Sequence, residues 1–131
     1  MEKILRVIVD TDILIKAYRG DVVKIKNLKL LKNHYCISVI SALELIGGSK
    51  NLKQFAFFNK VLKVYSILHI HEAISNRAFQ MYKNYILSHK PGLPDCFIAA
   101  SALENNVLLY TDNKNTTILL KELNSTKKNK K

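Results

Sequence analysis

Five acidic side chains sit where this chain has reason to do chemistry. Asp10 and Asp12 lie in RVIVDTDILI, Glu44 in ISVISALELIGG, Asp95 in PGLPDCFIAA and Asp112 in LLYTDN. Asp10, Asp12, Glu44 and Asp112 follow short apolar runs, and Asp95 opens an alanine-rich segment. The chain holds only ten Asp and Glu against 21 Lys and Arg, a formal charge of +11. Half of its acids therefore stand at these few points. Carboxylates brought together repel unless a cation neutralises them. Oxygen-only ligand sets suit hard divalent ions, Mg²⁺ or Mn²⁺. Such ions activate water and assist displacement at phosphorus.

An ordinary reading exists for each acid. Asp and Ser are favoured helix N-caps, and acids in a first turn suit the helix dipole. Ser41 and Glu44 spell a capping box, S-x-x-E. Asp12 and Asp95 would cap helices, and Asp112 a turn. Caps account poorly for Asp10, which belongs to a strand end and precedes another capping residue.

The elements that must position these acids are legible from periodicity. Apolar, β-branched runs at 4–9, 35–40, 64–70 and 107–111 predict four strands. Helical spacing predicts helices over 12–18 (ended by Gly20), 21–33, 41–48, 51–63, 72–88 and 95–106. The segment 21–33 reads as amphipathic, with Val22, Ile25 and Leu28 at helical steps. On 72–88 the stripe is Ile74, Ala78, Met81, Tyr82, Tyr85 and Ile86. Strands alternating with helices imply a three-layer α/β/α sandwich with a mainly parallel central sheet. In such sheets ligands bind beyond the carboxyl ends of the strands, which is where the acids fall.

At 131 residues the chain is expected to form one domain with a substantial core. No apolar run approaches the roughly 20 residues of a membrane span. Only nine residues precede Asp10, too few for a signal peptide's apolar region, so a cytoplasmic protein is expected. Cys36 and Cys96 match no metal-ligand spacing and read as buried free thiols. The excess of lysine favours a polyanionic partner, nucleic acid first. An anionic membrane surface or an acidic protein could use the same charge.

In order and spacing, VIVDTDILI, ISVISALELIGG and LPDCFIAASALENNVLLYTDN resemble the motifs of PIN-domain ribonucleases, in particular the VapC-like toxins of bacterial toxin–antitoxin pairs. The resemblance covers about residues 4 to 113. It implies a PIN-like nuclease domain at 1–123; the lysine-rich end at 124–131 has no apolar face and is expected to be a basic disordered tail. It also implies an endoribonuclease dependent on Mg²⁺ or Mn²⁺, with an RNA substrate, a separate antitoxin chain and a homodimeric assembly. Asp10, Glu44 and Asp95 match the family's first three acids. Asp12 falls where the family has Asn or Ser, and Thr111 on the hydroxyl residue ending the fourth strand. The fourth acid is assigned to Asp112, the only carboxylate available there, although the family's T-x-[DN] pattern also admits Asn113. No Asp-Phe pair follows, and 117–123 reads as a shortened or helical replacement for a fifth strand. The resemblance assigns the region about 50 to 63 to the dimer or antitoxin surface. Phe55, Phe57 and Phe58 cannot all face one stripe, so two are expected in the core and one on the surface or in a partner patch.

Other readings fit less of the chain. A D-x-D phosphatase of the haloacid-dehalogenase type leaves Glu44 and Asp95 without a role. A receiver-like phosphoacceptor lacks an Asp after the third strand. His69 and His71 share a strand face but have no third ligand nearby, and read as an edge pair. A PIN-like module that binds RNA or protein without cutting remains the alternative, its signature being loss of Asp10, Glu44 or Asp95. All three are present.

Overall fold

A computed structural model describes residues 6–120 of the chain. The tail expected at 124–131 and the first residues of the expected opening strand lie outside the described residues. Four short parallel strands, β1 (Val7–Val9), β2 (Tyr35–Ser38), β3 (Ser66–Leu68) and β4 (Leu108–Tyr110), form one sheet in the order β3-β2-β1-β4. The register pairs Val7 with Tyr35 on one side and with Leu108 on the other.

Between β1 and β2 run α1 (Thr11–Tyr18) and α2 (Val22–Leu30). α3 (Val39–Gly47) and α4 (Leu52–Leu62) connect β2 to β3, and α5 (Glu72–Tyr85) and α6 (Leu93–Asn105) connect β3 to β4. A final helix, α7, occupies 114–120. It stands where a fifth strand was in question, and among the described residues the sheet has four strands.

The central strands β1 and β2 bury both faces, as parallel strands covered by helices do. Val9 and Ile37 pack with Ile13, Leu14, Leu45 and Phe58 of α1, α3 and α4 on one face. Ile8 and Cys36 meet Ala102 of α6 on the other. α5 then stacks on α6, joining Ile74, Ala78 and Met81 to Cys96, Ala99 and Ala100. The small residues of α6 are what let it lie between the sheet and α5. Each fully buried Ile or Met here contributes about 1.5–3 kcal/mol relative to exposure. This is the expected three-layer arrangement. Both cysteines are buried and free. No helix among the described residues is long and apolar enough to cross a membrane.

Several local expectations are corrected. β2, β3 and β4 are shorter than their apolar runs, and β2 ends early because Ser38 already caps the next helix. Ser38, not Ser41, caps α3, its Oγ accepting from the Ile40 N–H at 3.1 Å. Ser41 is thus a buried helical residue, and the Ser41–Glu44 capping box does not form. α6 begins at Leu93, two residues before Asp95, with Gly92 at its N-cap. α2 buries none of its residues; Val22, Val23 and Leu30 face solvent, and Leu28 packs against the core from partial cover. Its apolar residues encircle the helix, so the amphipathic reading of 21–33 fails. Of the three phenylalanines only Phe58 is buried, while Phe55 and Phe57 are exposed, one core residue fewer than expected.

Gly20 adopts φ +100° just past α1. This left-handed conformation is one that glycine enters without the steric cost of a side chain, and it lets the chain reverse into α2.

Candidate active site

After β1 the chain proceeds to β2 on one side, whereas β4 lies on the other. The sheet therefore reverses its winding between β1 and β4, and a crevice opens beyond the carboxyl ends of these two strands. Asp10 follows β1 directly, and Thr111, Asp112 and Asn113 follow β4. The N-terminus of α6 brings in Asp95, and α3 brings in Glu44.

Asp10 is the N-cap of α1 after all, in an extended conformation, with Oδ1 accepting from the Thr11 N–H at 2.7 Å. Its other oxygen accepts from the Thr111 hydroxyl at 2.7 Å. Capping and site membership are thus not alternatives at this residue. The Thr11 hydroxyl donates to Glu44 Oε1 at 2.7 Å. On the far side, the Asn113 side-chain amide donates to Asp95 Oδ1 at 2.8 Å, and the Asn113 N–H donates to the Thr111 hydroxyl at 2.9 Å. Asp95 Oδ2 accepts from the Gly92 N–H at 3.1 Å, so this acid also secures the start of α6. A continuous chain of hydrogen bonds runs from Glu44 through Thr11, Asp10, Thr111 and Asn113 to Asp95.

Asp112 takes another direction. Its carboxylate pairs with Lys16 at 2.9 Å and Lys24 at 3.0 Å, and the two lysines hold its pKa below the ordinary carboxylate value. Its backbone N–H donates to Asp12 Oδ2 at 3.0 Å. Three successive residues past β4 therefore divide their work. Thr111 and Asn113 reach the acids, and Asp112 reaches the lysines.

Asp10 is 4% exposed. Burial pushes its pKa from the usual 3.8 up to about 6; the Thr111 and Thr11 hydrogen bonds oppose the shift, and the charges of Asp12 and Asp95 add to it. A cation would relieve this strain on the ionised form. The oxygen-only donors, two of them carboxylates close enough to feel each other, fit a hard divalent ion in kind. Ser41, one turn before Glu44, adds a buried hydroxyl with no hydrogen-bond partner among the described residues. Such a group costs about 1–3 kcal/mol unless something else satisfies it. As placed, the acids are bridged by hydroxyl and amide groups, and among the described residues no three His, Cys, Asp or Glu converge as a metal cage. His69 and His71 are exposed beyond the end of β3 and play no part.

Sequence reasoning missed Thr11 and Thr116 and the pairing of Lys16 and Lys24 with Asp112. Thr11 lies between two acids already singled out, so its place was available as a signal. Thr116 is fully buried with its hydroxyl 3.5 Å from Asp95. Lysines abound in this chain, and nothing in their spacing marks these two.

Residues 7–118 match the family model of the PIN domain. A chain of a toxin–antitoxin complex from Klebsiella pneumoniae superposes with a TM-score of 0.70 at 28% identity, covering 82% of this chain and 86% of that one. VapBC2 from Rickettsia felis, solved with a DNA fragment from its promoter, gives 0.70 at 24% identity over 83% and 88%. VapBC-1 from nontypeable Haemophilus influenzae gives 0.73 at 21% identity over 90% and 94%. The last two attest to the fold. Comparison with curated proteins gives no match.

Proposed function

This chain belongs to the PIN-domain family, and from that premise we propose that it is a VapC-type toxin. Its activity is that of an endoribonuclease dependent on Mg²⁺ or Mn²⁺. The observation that carries the reading is the bonded series from Glu44 to Asp95 in the crevice between β1 and β4, an acidic centre in a chain of charge +11.

Asp10, Glu44 and Asp95 would hold the ion, with Asn113 as the fourth polar group in the place first assigned to Asp112. An ion held there would supply Lewis-acid chemistry, activating water and offsetting charge on the phosphate and the leaving oxygen. The chain's own residues do the rest. Thr11 and Thr111 donate to Asp10, which favours its ionised form and fixes its orientation. Asn113 holds Asp95 in place, and Asp12 fixes the loop after β4 through the Asp112 N–H. Lysines outside the centre bind the RNA backbone, so affinity falls as salt rises.

The same reading gives the protein a separate antitoxin chain, a homodimeric assembly and a cytoplasmic setting with its RNA. The complexes of the similar structures support the antitoxin. The exposed side chains of Leu52, Phe55 and Phe57, with the Tyr18 ring tilted against Phe57 at 5.0 Å, offer α4 as the partner surface.

Labelled structured RNA incubated with Mg²⁺ or Mn²⁺ tests the proposal. Cleavage should occur with the wild type and vanish with chelator and with Asp95→Asn, which keeps the shape and removes a charge. Full activity in Asp95→Asn contradicts the site. A folded, metal-supplied wild type that binds RNA without cutting it would favour the non-catalytic module.

A further inference from the structure

Outside the acidic centre, one cluster of charged groups is built with more care than a solvated surface requires. Lys16 from α1 and Lys24 from α2 converge on a single oxygen of Asp112, at 2.9 and 3.0 Å. Two cations thus share one carboxylate, so neither ammonium is matched by a carboxylate of its own there. Asp112 lies one residue from Thr111 and Asn113, which bond the acids. Lys24 is also fixed from below, its ammonium 5.9 Å from the centre of the Tyr110 ring, whose hydroxyl accepts from the Asn27 amide at 2.9 Å. The Asp112 N–H on Asp12 ties the cluster to the acidic residues. An ammonium has three donors, and Asp112 takes one from each lysine. Lys16, 46% exposed, turns the remainder toward solvent.

The geometry points to Lys16 and Lys24 as a paired phosphate-binding subsite flanking the acidic centre, with Asp112 as the positioning residue that gathers them. This rests on the ribonuclease reading and deepens it. A backbone phosphate next to the one being cut is the ligand. A polyanion approaching a group of carboxylates meets repulsion, and a fixed pair of cations at the rim offsets it and sets where the strand lies. Asp112 thereby serves RNA binding and leaves the ion to the other acids.

The test is the salt dependence of binding to a labelled single-stranded RNA of mixed sequence, measured in chelator so that the strand is not cut. For single strands, each phosphate contact contributes about 0.7 to the slope of log affinity against log salt. Lys16→Gln and Lys24→Gln should each lower the slope by about that amount, and the double variant by about twice it. Lys83→Gln, on α5 against Phe79, controls for charge alone and should leave the slope unchanged. Asp112→Asn removes no cation; it should keep the slope and raise KM for cleavage while kcat stays close to that of the wild type. The Lys16 pair is exposed and contributes little to folding, and Lys24, 16% exposed, is changed to the uncharged Gln, so thermal melts should show all variants folded. A wild-type slope in the double variant, or an equal fall in Lys83→Gln, overturns the subsite while the nuclease reading stands. A wild type that binds no RNA defeats both.

Discussion

Asp10 and Asp112 both stand just beyond neighbouring parallel strands, and they have opposite fates. Asp10 is buried among hydroxyls and other acids, and its pKa rises to about 6. Asp112 lies at the rim between two lysines, and its pKa falls. The same side chain becomes a strained anion in one place and a relaxed one in the other. The depth of the crevice and the neighbours decide this, and the residue type does not. An acid whose charge the fold leaves uncompensated is the one with a use for a cation.

The largest expected effect separates the two at once. Asp10→Asn or Asp95→Asn should reduce RNA cleavage by roughly 10²–10³-fold or more, the scale of losing a preorganised electrostatic group. An Asp10→Asn enzyme of near-normal rate would erase the distinction between the inner and outer acid.

Next comes stability in chelator. Asp10 has a folded pKa above its unfolded one, so the folded state holds the proton more tightly between about pH 4 and 6. The contribution of Asp10 to stability is then greatest below that window and declines as pH rises through it, by on the order of 3 kcal/mol in all. Asp112, with its depressed value, acts in the reverse sense: its contribution is present above its unfolded pKa and lost as pH falls through the folded one. Melting temperatures across this range check both signs, and added Mn²⁺ should recover more stability at pH 7.5 than at pH 5. A flat profile between pH 4 and 6 would mean that Asp10 carries no such strain.

Thr111→Val removes a donor from Asp10 and should raise its pKa further. Cleavage near pH 6.5 should then fall about tenfold, consistent with a charge-assisted hydrogen bond of about 1.5–3 kcal/mol, with recovery at higher pH. Recovery would locate the defect in protonation; a loss independent of pH would place it elsewhere. The smallest effect belongs to the rim, where Asp112→Asn should change stability by less than about 1 kcal/mol in a denaturant titration.

The layered fold was legible because the apolar runs are β-branched and the helical stripes regular, as with Ile74, Ala78 and Met81. Asp10, Asp12, Glu44 and Asp95 were legible because acids are scarce here and recur at strand exits or at the start of a helix. What escaped depends on which way a side chain turns within a short loop. Nothing local distinguishes Asp112 from Asn113, because alternation past β4 sends one outward and the other to Asp95. Helix starts escaped for a related reason: Ser38 and Ser41 are equally good caps by type, and only the sheet's end selects Ser38. Exposed apolar residues on α2 and α4 defeat periodicity, since a face turned to solvent or to a partner carries the same residue types as a core.

Equilibrium binding of Mn²⁺ to the wild type, Asp10→Asn and Asp112→Asn tests the central distinction most directly. The account predicts that Asp10→Asn binds the ion far more weakly, whereas Asp112→Asn matches the wild type. Wild-type affinity in Asp10→Asn, or an equal loss in Asp112→Asn, would contradict it.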